Sequence, residues 1–170
     1  SFMLVAAMNP CRCGYFGHPT KACTCSEKDV RRYVSRISGP LLDRIDIEVE
    51  LPSLSYDELA AKAPTGEPSA TVRERVIRAR KFAAARMQGE RGIFCNAQLD
   101  AAGVHTYCTL DDAASQLLRA AYDRMGLSAR GYDRILRVAR TIADLEGLRD
   151  IALPHIAEAL SCRMLDREQA

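Results

Sequence analysis

Three features are missing from this sequence of 170 residues, and each absence excludes a class of protein. No apolar run approaches the ~20 residues that a membrane span needs, and no signal peptide is evident at the start. An excess of one charge sign is also missing, because 24 Lys and Arg face 22 Asp and Glu. A net charge of +2 does not by itself indicate nucleic-acid or membrane binding. We therefore expect a cytoplasmic protein that has no contact with a membrane.

The hydrophobic pattern changes near residue 54. Residues 2–8 form one continuous apolar run, which is typical of a buried strand in a parallel sheet. Residues 45–51 alternate between apolar and polar side chains, which predicts a second strand with one solvent-facing side. From Ser55 onward the period is helical. The sequence therefore predicts a mainly α-helical protein, in which two strands in residues 1–54 precede a bundle of about five helices in residues 55–170.

Capping residues predict where these helices begin and end. Ser26 and Ser55 each precede an acidic residue by three positions, which is the spacing of a capping box. Ser128 is predicted to begin a helix that ends at Gly147 and carries apolar residues at three- and four-residue intervals. Further helices are expected over residues 71–88, 96–101 and 109–126, and from Pro154.

Four of the seven cysteines lie within fifteen residues as two C-x-C pairs, namely Cys11, Cys13, Cys23 and Cys25. The loop 11–25 that carries them is rich in glycine and proline, and tight turns let paired sulfurs converge on one metal ion. The usual zinc knuckle has two to four residues between its paired cysteines, so a one-residue gap departs from that pattern. The alternative is four unligated thiols that lie close together by chance. The pattern favours a closed, structural zinc site.

The helix predicted over residues 71–88 is strongly basic. Its basic residues, which accompany the single acid Glu74, are Arg73, Arg75, Arg78, Arg80, Lys81 and Arg86. Such a surface suits a phosphate backbone, and Arg75, Arg78 and Lys81 are the candidate nucleic-acid contacts. A solvated charged face without any ligand is the alternative, and the sequence leaves both open.

Three other polar residues are candidates for a site. Asn9 directly follows the first predicted strand, where ligands gather in open parallel sheets, although an asparagine there also opens ordinary turns. Arg44 is most simply an ion-pair partner of Asp43 or Asp46. Arg130 lies in the first turn of its helix, where the helix dipole disfavours a cation. That position favours an external anionic partner for Arg130.

Three blocks of sequence together resemble one protein family. They are VAAMNPCRCGY at residues 5–15, SGPLLDRID at residues 38–46, and LSARGY followed by RVARTIADL within residues 127–145. In content and in order these blocks resemble the magnesium-chelatase-like AAA+ ATPases, and most closely those of the ComM/YifB type. The resemblance runs from about residue 2 to residue 165.

The resemblance implies catalytic roles for three residues. Asn9 matches the sensor-1 position, which contacts the γ-phosphate or the attacking water. Arg44 matches the arginine finger, which enters the nucleotide site of a neighbouring subunit and stabilises transition-state charge. Arg130 matches sensor 2 on the helical lid, which reads the phosphates. The family also carries the two C-x-C pairs, and this supports the expectation of structural Zn²⁺.

The resemblance also implies that part of the ATPase lies outside the chain. The family has a G-x-x-x-x-G-K-[ST] phosphate loop and paired magnesium-binding acids upstream of the first strand, and the sequence contains neither. The chain, which opens at Ser1, is therefore expected to be a C-terminal fragment. Residues 1–54 would end the nucleotide-binding core and residues 55–170 would form the lid. Alone, the fragment is expected to be monomeric and inactive.

The parent protein implied by the resemblance is a ring, expected to be a hexamer, that uses ATP and Mg²⁺ to act on DNA. Members of this type promote branch migration when transformed DNA recombines. The alternative is a non-enzymatic helical module, stapled by zinc, that binds nucleic acid or a partner protein.

Overall fold

The computed structural model describes residues 2–60, 66–90 and 92–163 of the chain. Their contacts divide the chain into two compact units, Ser1–Leu42 and Asp43–Ala170. The first unit contains the cysteine-rich loop, and the second contains most of the helices. The boundary near residue 54, which separates a nucleotide-binding core from a helical lid, stays a prediction.

The first unit contains two helices, α1 (Glu27–Val34) and α2 (Gly39–Leu42). Helix α1 begins as the capping box predicts, because the Ser26 hydroxyl accepts the Asp29 N–H at 3.2 Å and donates to the Asp29 carboxylate at 2.6 Å. Ser26 has extended backbone angles, and its side chain satisfies one of the first four helical N–H groups.

Neither predicted strand forms in the part of the chain that the structure describes. Residues 2–8 and 45–51 have no strand partner there, and Phe2 and Val5 are 90% and 86% exposed. A strand requires a neighbour that pairs with its backbone over several residues, whereas the backbone-to-backbone bond of these described segments is a single one, from the Glu48 N–H to the Cys162 carbonyl at 2.7 Å. The one isolated bridge among the described residues joins Leu110 and Ile151 in parallel. The two strands are therefore a wrong prediction here, whereas the mainly helical fold is confirmed.

The described part of the second unit contains six α-helices. They are α3 (Tyr56–Ala60), α4 (Ser69–Arg86), α5 (Ala101–Tyr107), α6 (Asp112–Met125), α7 (Ala129–Glu146) and α8 (Leu153–Ser161), with a 3₁₀ turn at Asn96–Gln98. None of the helices in the described residues combines the length and apolarity required to cross a bilayer.

Helix α7 is the centre of this unit, and α4, α5 and α8 pack against it while α6 packs on α8. Ile135, Val138 and Ile142 of the predicted apolar stripe are buried, and Ala139 and Ala143 extend the buried face. The helix begins at Ser128, whose hydroxyl accepts the Gly131 N–H at 3.0 Å. This confirms the predicted start, and the burial explains why α7 positions the helices around it.

Other helix ends partly confirm the capping predictions. Gly126 and Gly147 end α6 and α7 with positive φ values of 59° and 72°, a backbone region that favours glycine. Asp111, rather than Thr109, caps α6 through a 2.7 Å bond from the Ala114 N–H. Asp100 caps α5 in the same way. The short helix expected over residues 96–101 is present only as the 3₁₀ turn Asn96–Gln98, which Asn96 does not cap.

Candidate functional site

The four clustered cysteines of the first unit bring their sulfur atoms together. The Cys11 Sγ lies 3.3 Å from that of Cys13 and 3.7 Å from that of Cys23, and the Cys13 and Cys23 sulfurs are 3.5 Å apart. With Cys25 included, all four sulfurs lie within 4.8 Å of one another. In a tetrahedron with zinc–sulfur bonds of ~2.3 Å, the sulfurs are about 3.8 Å apart. The arrangement therefore fits a metal ion, and the fold brings the sulfur atoms of all four predicted ligands together.

The backbone of the loop explains how a one-residue gap still permits this convergence. The Gly14 N–H donates to the Cys11 carbonyl at 3.1 Å, and Gly14 has a φ of 85° that turns the chain back. The Phe16 N–H then donates to the Cys11 sulfur at 3.3 Å. These bonds fold the first C-x-C pair into a tight turn whose amides face sulfur. Backbone amides that donate to sulfur stabilise the thiolate form that binds metal.

The thiols of the cluster differ strongly in acidity. Backbone N–H groups of Tyr15 and Thr24 lower the pKa of Cys13 to about 5. The Cys25 backbone lowers the pKa of Cys23, but burial and the neighbouring thiols outweigh it and raise that pKa to about 12. Despite burial, the pKa of Cys11 is also lowered, with the Phe16 N–H contributing, whereas that of Cys25 is raised. Further negative charge is therefore disfavoured once Cys11 and Cys13 are ionised. A divalent cation removes this penalty, because its charge offsets the repulsion between thiolates.

In the second unit, bonds to helices hold the segment on either side of Arg44. The Ser128 hydroxyl donates to the Asp43 carboxylate at 3.0 Å, while Arg134 forms an ion pair with Asp46. Arg163, which is almost fully buried, donates to the Ile45 carbonyl at 3.0 Å. The segment is thereby fixed against the first turns of α7 and the residues that follow α8. Sequence reasoning missed this arrangement, since the bonded residues are more than 80 positions apart.

The structure places the three predicted catalytic residues as follows. Arg44 and Arg130 are both exposed, and the bond between Asp43 and Ser128 joins the segments that carry them. Asn9 belongs to the first unit, where it is exposed at the start of the cysteine-rich loop. The second unit thus presents two guanidinium groups from adjoining segments at its surface.

The candidate nucleic-acid residues Arg75, Arg78 and Lys81 are exposed on α4. Arg75 forms a two-bond ion pair with Glu67, at 3.1 Å and 2.9 Å, and this exposed pair competes only weakly with a phosphate. Arg86 does not belong to this basic surface, because its guanidinium bonds to Asp144 at 2.5 Å and 2.8 Å inside the bundle.

Asp144 is the centre of a buried polar cluster that sequence reasoning missed. It is 3% exposed and accepts hydrogen bonds from Arg86, Arg140 and Asn96, which come from α4, α7 and the 3₁₀ turn. Arg140, which is fully buried, also donates to two carbonyls in the loop after α7, those of Leu148 and Arg149. Arg140 and Asp144 lie four residues apart in the sequence of an amphipathic helix, a spacing that permits an ion pair, and this spacing was the available sequence signal.

Comparisons with known proteins match both units of the chain. The family described as "Magnesium chelatase, subunit ChlI C-terminal" matches residues 66–163, and "Magnesium chelatase, subunit ChlI" matches residues 1–59. The chain is 42% identical over 167 residues to competence protein ComM of Haemophilus influenzae. It is 40% and 39% identical over 166 residues to the uncharacterized YifB proteins of Salmonella typhimurium and Escherichia coli. Each alignment covers 98% of this chain and 31% of the relative, so the chain spans about a third of their length.

Proposed function

We propose that this chain, which belongs to the magnesium chelatase ChlI family of AAA+ proteins, is the C-terminal section of an ATPase acting on DNA. Family membership supports the ATPase class. A relative at 42% identity is named a competence protein, and this supports a role in DNA recombination during natural transformation. In that role ATP hydrolysis would drive remodelling or branch migration of DNA by a ring, which we expect to be a hexamer.

Arg44 is the residue on which the ATPase proposal depends most. Phosphoryl transfer develops charge on the transferring phosphate, and a guanidinium supplied by a neighbouring subunit stabilises that charge. Such a group must be held in place and be accessible to the neighbouring nucleotide site. The adjacent Asp43 and Asp46 bond to Ser128 and Arg134, and these bonds support Arg44 as a positioned, exposed finger.

Arg130 supports the same role from the helical side. The first turn of α7 adds its backbone dipole to the Arg130 charge, so that this helix end attracts an anion. We assign Arg130 to the sensor that contacts the nucleotide phosphates and transmits hydrolysis to the helical bundle. Asn9, by its family position, would orient the attacking water or the γ-phosphate.

ATP and Mg²⁺ would supply the phosphoryl group and neutralise its charge when bound. The sequence has no phosphate loop, so its own residues offer cations and an amide to the phosphates but no cradle for them. We therefore propose that this chain completes a nucleotide site gripped by other parts of the assembly, and that alone it does not hydrolyse ATP.

We further propose that Cys11, Cys13, Cys23 and Cys25 hold a structural Zn²⁺. The support is the convergence of four sulfurs at distances that suit a tetrahedral ion. Four protein ligands leave no open position, so this ion would organise the loop and take no part in the ATPase step. Metal analysis after purification without chelator is expected to give about one Zn²⁺ per chain, and less than about half would contradict the site.

The ATPase proposal is tested in the full-length protein with Arg44→Ala. We expect ATP turnover to fall by about 10³-fold while ring assembly, measured by light scattering, is retained. Arg124→Ala, which removes an exposed arginine from α6, is the matched control and should leave turnover unchanged. Rings that contain both proteins give a second readout, because an Arg44→Ala subunit should lower ATP turnover at the site of its wild-type neighbour. Full activity of the Arg44→Ala protein would contradict the role.

A second candidate is a non-enzymatic, zinc-stapled helical module that binds nucleic acid or a partner protein. The observation in its favour is the convergent cysteine cluster in a chain without a phosphate loop. This candidate predicts that Arg44→Ala has no effect on any ATPase activity, so the same experiment separates the two.

The exposed basic face of α4 is our proposed contact for duplex DNA, through Arg75, Arg78 and Lys81. Neutralising all three is expected to weaken DNA binding and to lower the magnitude of the salt slope by about 0.9 for each phosphate that the variant no longer neutralises. A control that neutralises Arg119 and Arg124 of α6 should leave the slope unchanged. An unchanged slope in the α4 variant would remove this contact.

A further inference from the structure

The cysteine-rich loop exposes aromatic rings beside positive charge. Tyr15 and Phe16 follow directly on the first C-x-C pair and are 37% and 46% exposed. The Lys21 ammonium lies 5.0 Å from the centroid of the Tyr15 ring, and the His18 ring meets Tyr15 edge-on with the centroids 5.7 Å apart. Two π-faces and a cation therefore share one short stretch of surface.

Local bonds fix the backbone of the residues that carry these rings. The Phe16 N–H donates to the Cys11 sulfur, and the His18 N–H donates to the Tyr15 carbonyl at 3.1 Å. The His18 Nδ1 in turn accepts the Lys21 N–H at 3.1 Å. Because these bonds order the loop backbone, a ligand that contacts the rings loses little free energy to ordering that backbone.

The first unit is also far more basic than the net charge of the whole chain indicates. Its residues 1–42 contain six Lys and Arg and two acids, which gives +4, whereas the other residues contain 18 and 20, which gives −2. The two acids are engaged locally, since Glu27 pairs with Arg31 and Asp29 bonds to Ser26. Four thiolates on one Zn²⁺ would change the charge of the unit to +2. The unit therefore attracts anions with or without the metal.

We infer that this loop binds single-stranded nucleic acid, with Tyr15 and Phe16 stacking on bases and Arg12 and Lys21 contacting phosphates. Aromatic rings interleaved with cations are the recurring chemistry of such sites, and stacking requires bases that are not paired within a duplex. The α4 helix carries more cations and a single aromatic ring, that of Phe82, which is 36% exposed, and it suits a duplex backbone instead. The inference rests on the proposed function in DNA remodelling, which produces unpaired strands.

The absence of tryptophan from the chain allows a direct test of stacking. A Tyr15→Trp variant places a single tryptophan in the loop, and an oligothymidylate of about 20 nucleotides should quench its fluorescence on binding. Tyr122→Trp is the matched control, because Tyr122 is 43% exposed and lies in the second unit. Quenching of both variants alike, or of neither, would overturn the inference.

Affinity and salt dependence then separate stacking from charge. For a labelled oligothymidylate, Tyr15→Ala with Phe16→Ala is expected to lose affinity by at least about tenfold at an unchanged salt slope. Arg12→Ala with Lys21→Ala should instead lower the magnitude of the slope by about 1.4, for two phosphates. Zinc content and circular dichroism of each variant establish that the loop is folded, and a variant lacking zinc is replaced by Tyr15→Leu with Phe16→Leu.

The outcomes distinguish this inference from the proposed function. If folded aromatic variants bind as tightly as the wild type while the α4 variant loses binding, the loop inference fails and the DNA function stands. If the wild-type chain binds neither single-stranded nor duplex DNA, both fail. Capture of an acidic protein by the loop in place of the oligonucleotide would also overturn the inference.

Discussion

The two units of this chain reach an ordered structure by different means. Among the described residues, the first unit buries three apolar side chains, those of Cys11, Val30 and Leu42, whereas the second buries nineteen. Burial of apolar surface contributes roughly 25 cal/mol per Å², so only the second unit has a substantial hydrophobic core. The first unit depends on its cysteine cluster and its local hydrogen bonds. The comparison predicts that the units respond independently to loss of metal and to core substitution.

The largest expected effect is that of metal removal. Stripping zinc with a chelator, or replacing Cys11 with serine, should remove roughly 10 kcal/mol of binding free energy that organises the loop. Hydrogen exchange of residues 10–36 is expected to lose its protection. The denaturant midpoint of the second unit should stay unchanged, because no described ligand of the cluster belongs to it.

Cys95→Ser is the control for that experiment, since Cys95 is an exposed thiol outside the cluster. It should leave zinc content and exchange rates as they are in the wild type. Unchanged protection of the loop after complete zinc removal would show that the two units are ordered by the same kind of force.

The next largest effect is expected in the second unit, from Asp144→Ala. The change leaves Arg86 and Arg140 without their shared partner, and removal of one member of a buried ion pair costs about 3–5 kcal/mol. Guanidinium unfolding is the measurement. Asp133→Ala, in the same helix but with a partly exposed pair to Arg137, should cost less than about 1 kcal/mol. Zinc content should be normal in both, and similar costs would contradict the role of the cluster.

The comparison also shows which features the sequence can predict. Caps at Ser26, Ser55 and Ser128 are local signals, because the hydroxyl bonds a backbone N–H three residues away, and the structure confirms all three. The C-x-C pairs are equally local. The two strand predictions were wrong because strand pairing depends on residues that are distant in the sequence. Hydrophobic alternation within a segment carries no information about those residues.

Long-range polar contacts escape sequence reasoning for the same reason. Arg86 belongs by composition to the basic face of α4, yet it bonds to an aspartate 58 positions later. Asn96 looks like a helix cap, yet its side chain is buried and donates to the same Asp144. Only the tertiary fold determines whether such a polar side chain faces solvent or a buried partner.

A smaller effect is expected from Ser128→Ala. The substitution removes the N-cap of α7 and the bond to Asp43, and a lost cap costs about 1 kcal/mol. Thermal unfolding measures this cost, and in the full-length protein ATP turnover should fall as the Arg44 segment loosens. Ser115→Ala, an exposed position within α6, should change stability by less than about 0.5 kcal/mol. Equal effects of the two substitutions on stability and on ATP turnover would contradict the proposed link between the N-cap of α7 and Arg44.

The smallest effect concerns two capping carboxylates, one in each unit. The Ser26 hydroxyl lowers the pKa of Asp29, and the Ser55 backbone N–H lowers that of Glu58. A lowered pKa contributes stability above the unfolded value, about 3.9 for Asp and 4.3 for Glu, and this stability is lost as pH falls through the folded pKa. Ser26 directly follows Cys25, so its position depends on the cluster.

Removal of zinc should therefore return the pKa of Asp29 toward its ordinary value while that of Glu58 stays low. Carboxyl chemical shifts followed by NMR between about pH 2 and 6 resolve both groups in one titration. Because each carboxylate reports on the cap of its own helix, Glu58 is an internal control within the same sample. An equal rise of both pKa values would mean that metal removal perturbs the second unit as well, which would contradict the predicted independence of the two units.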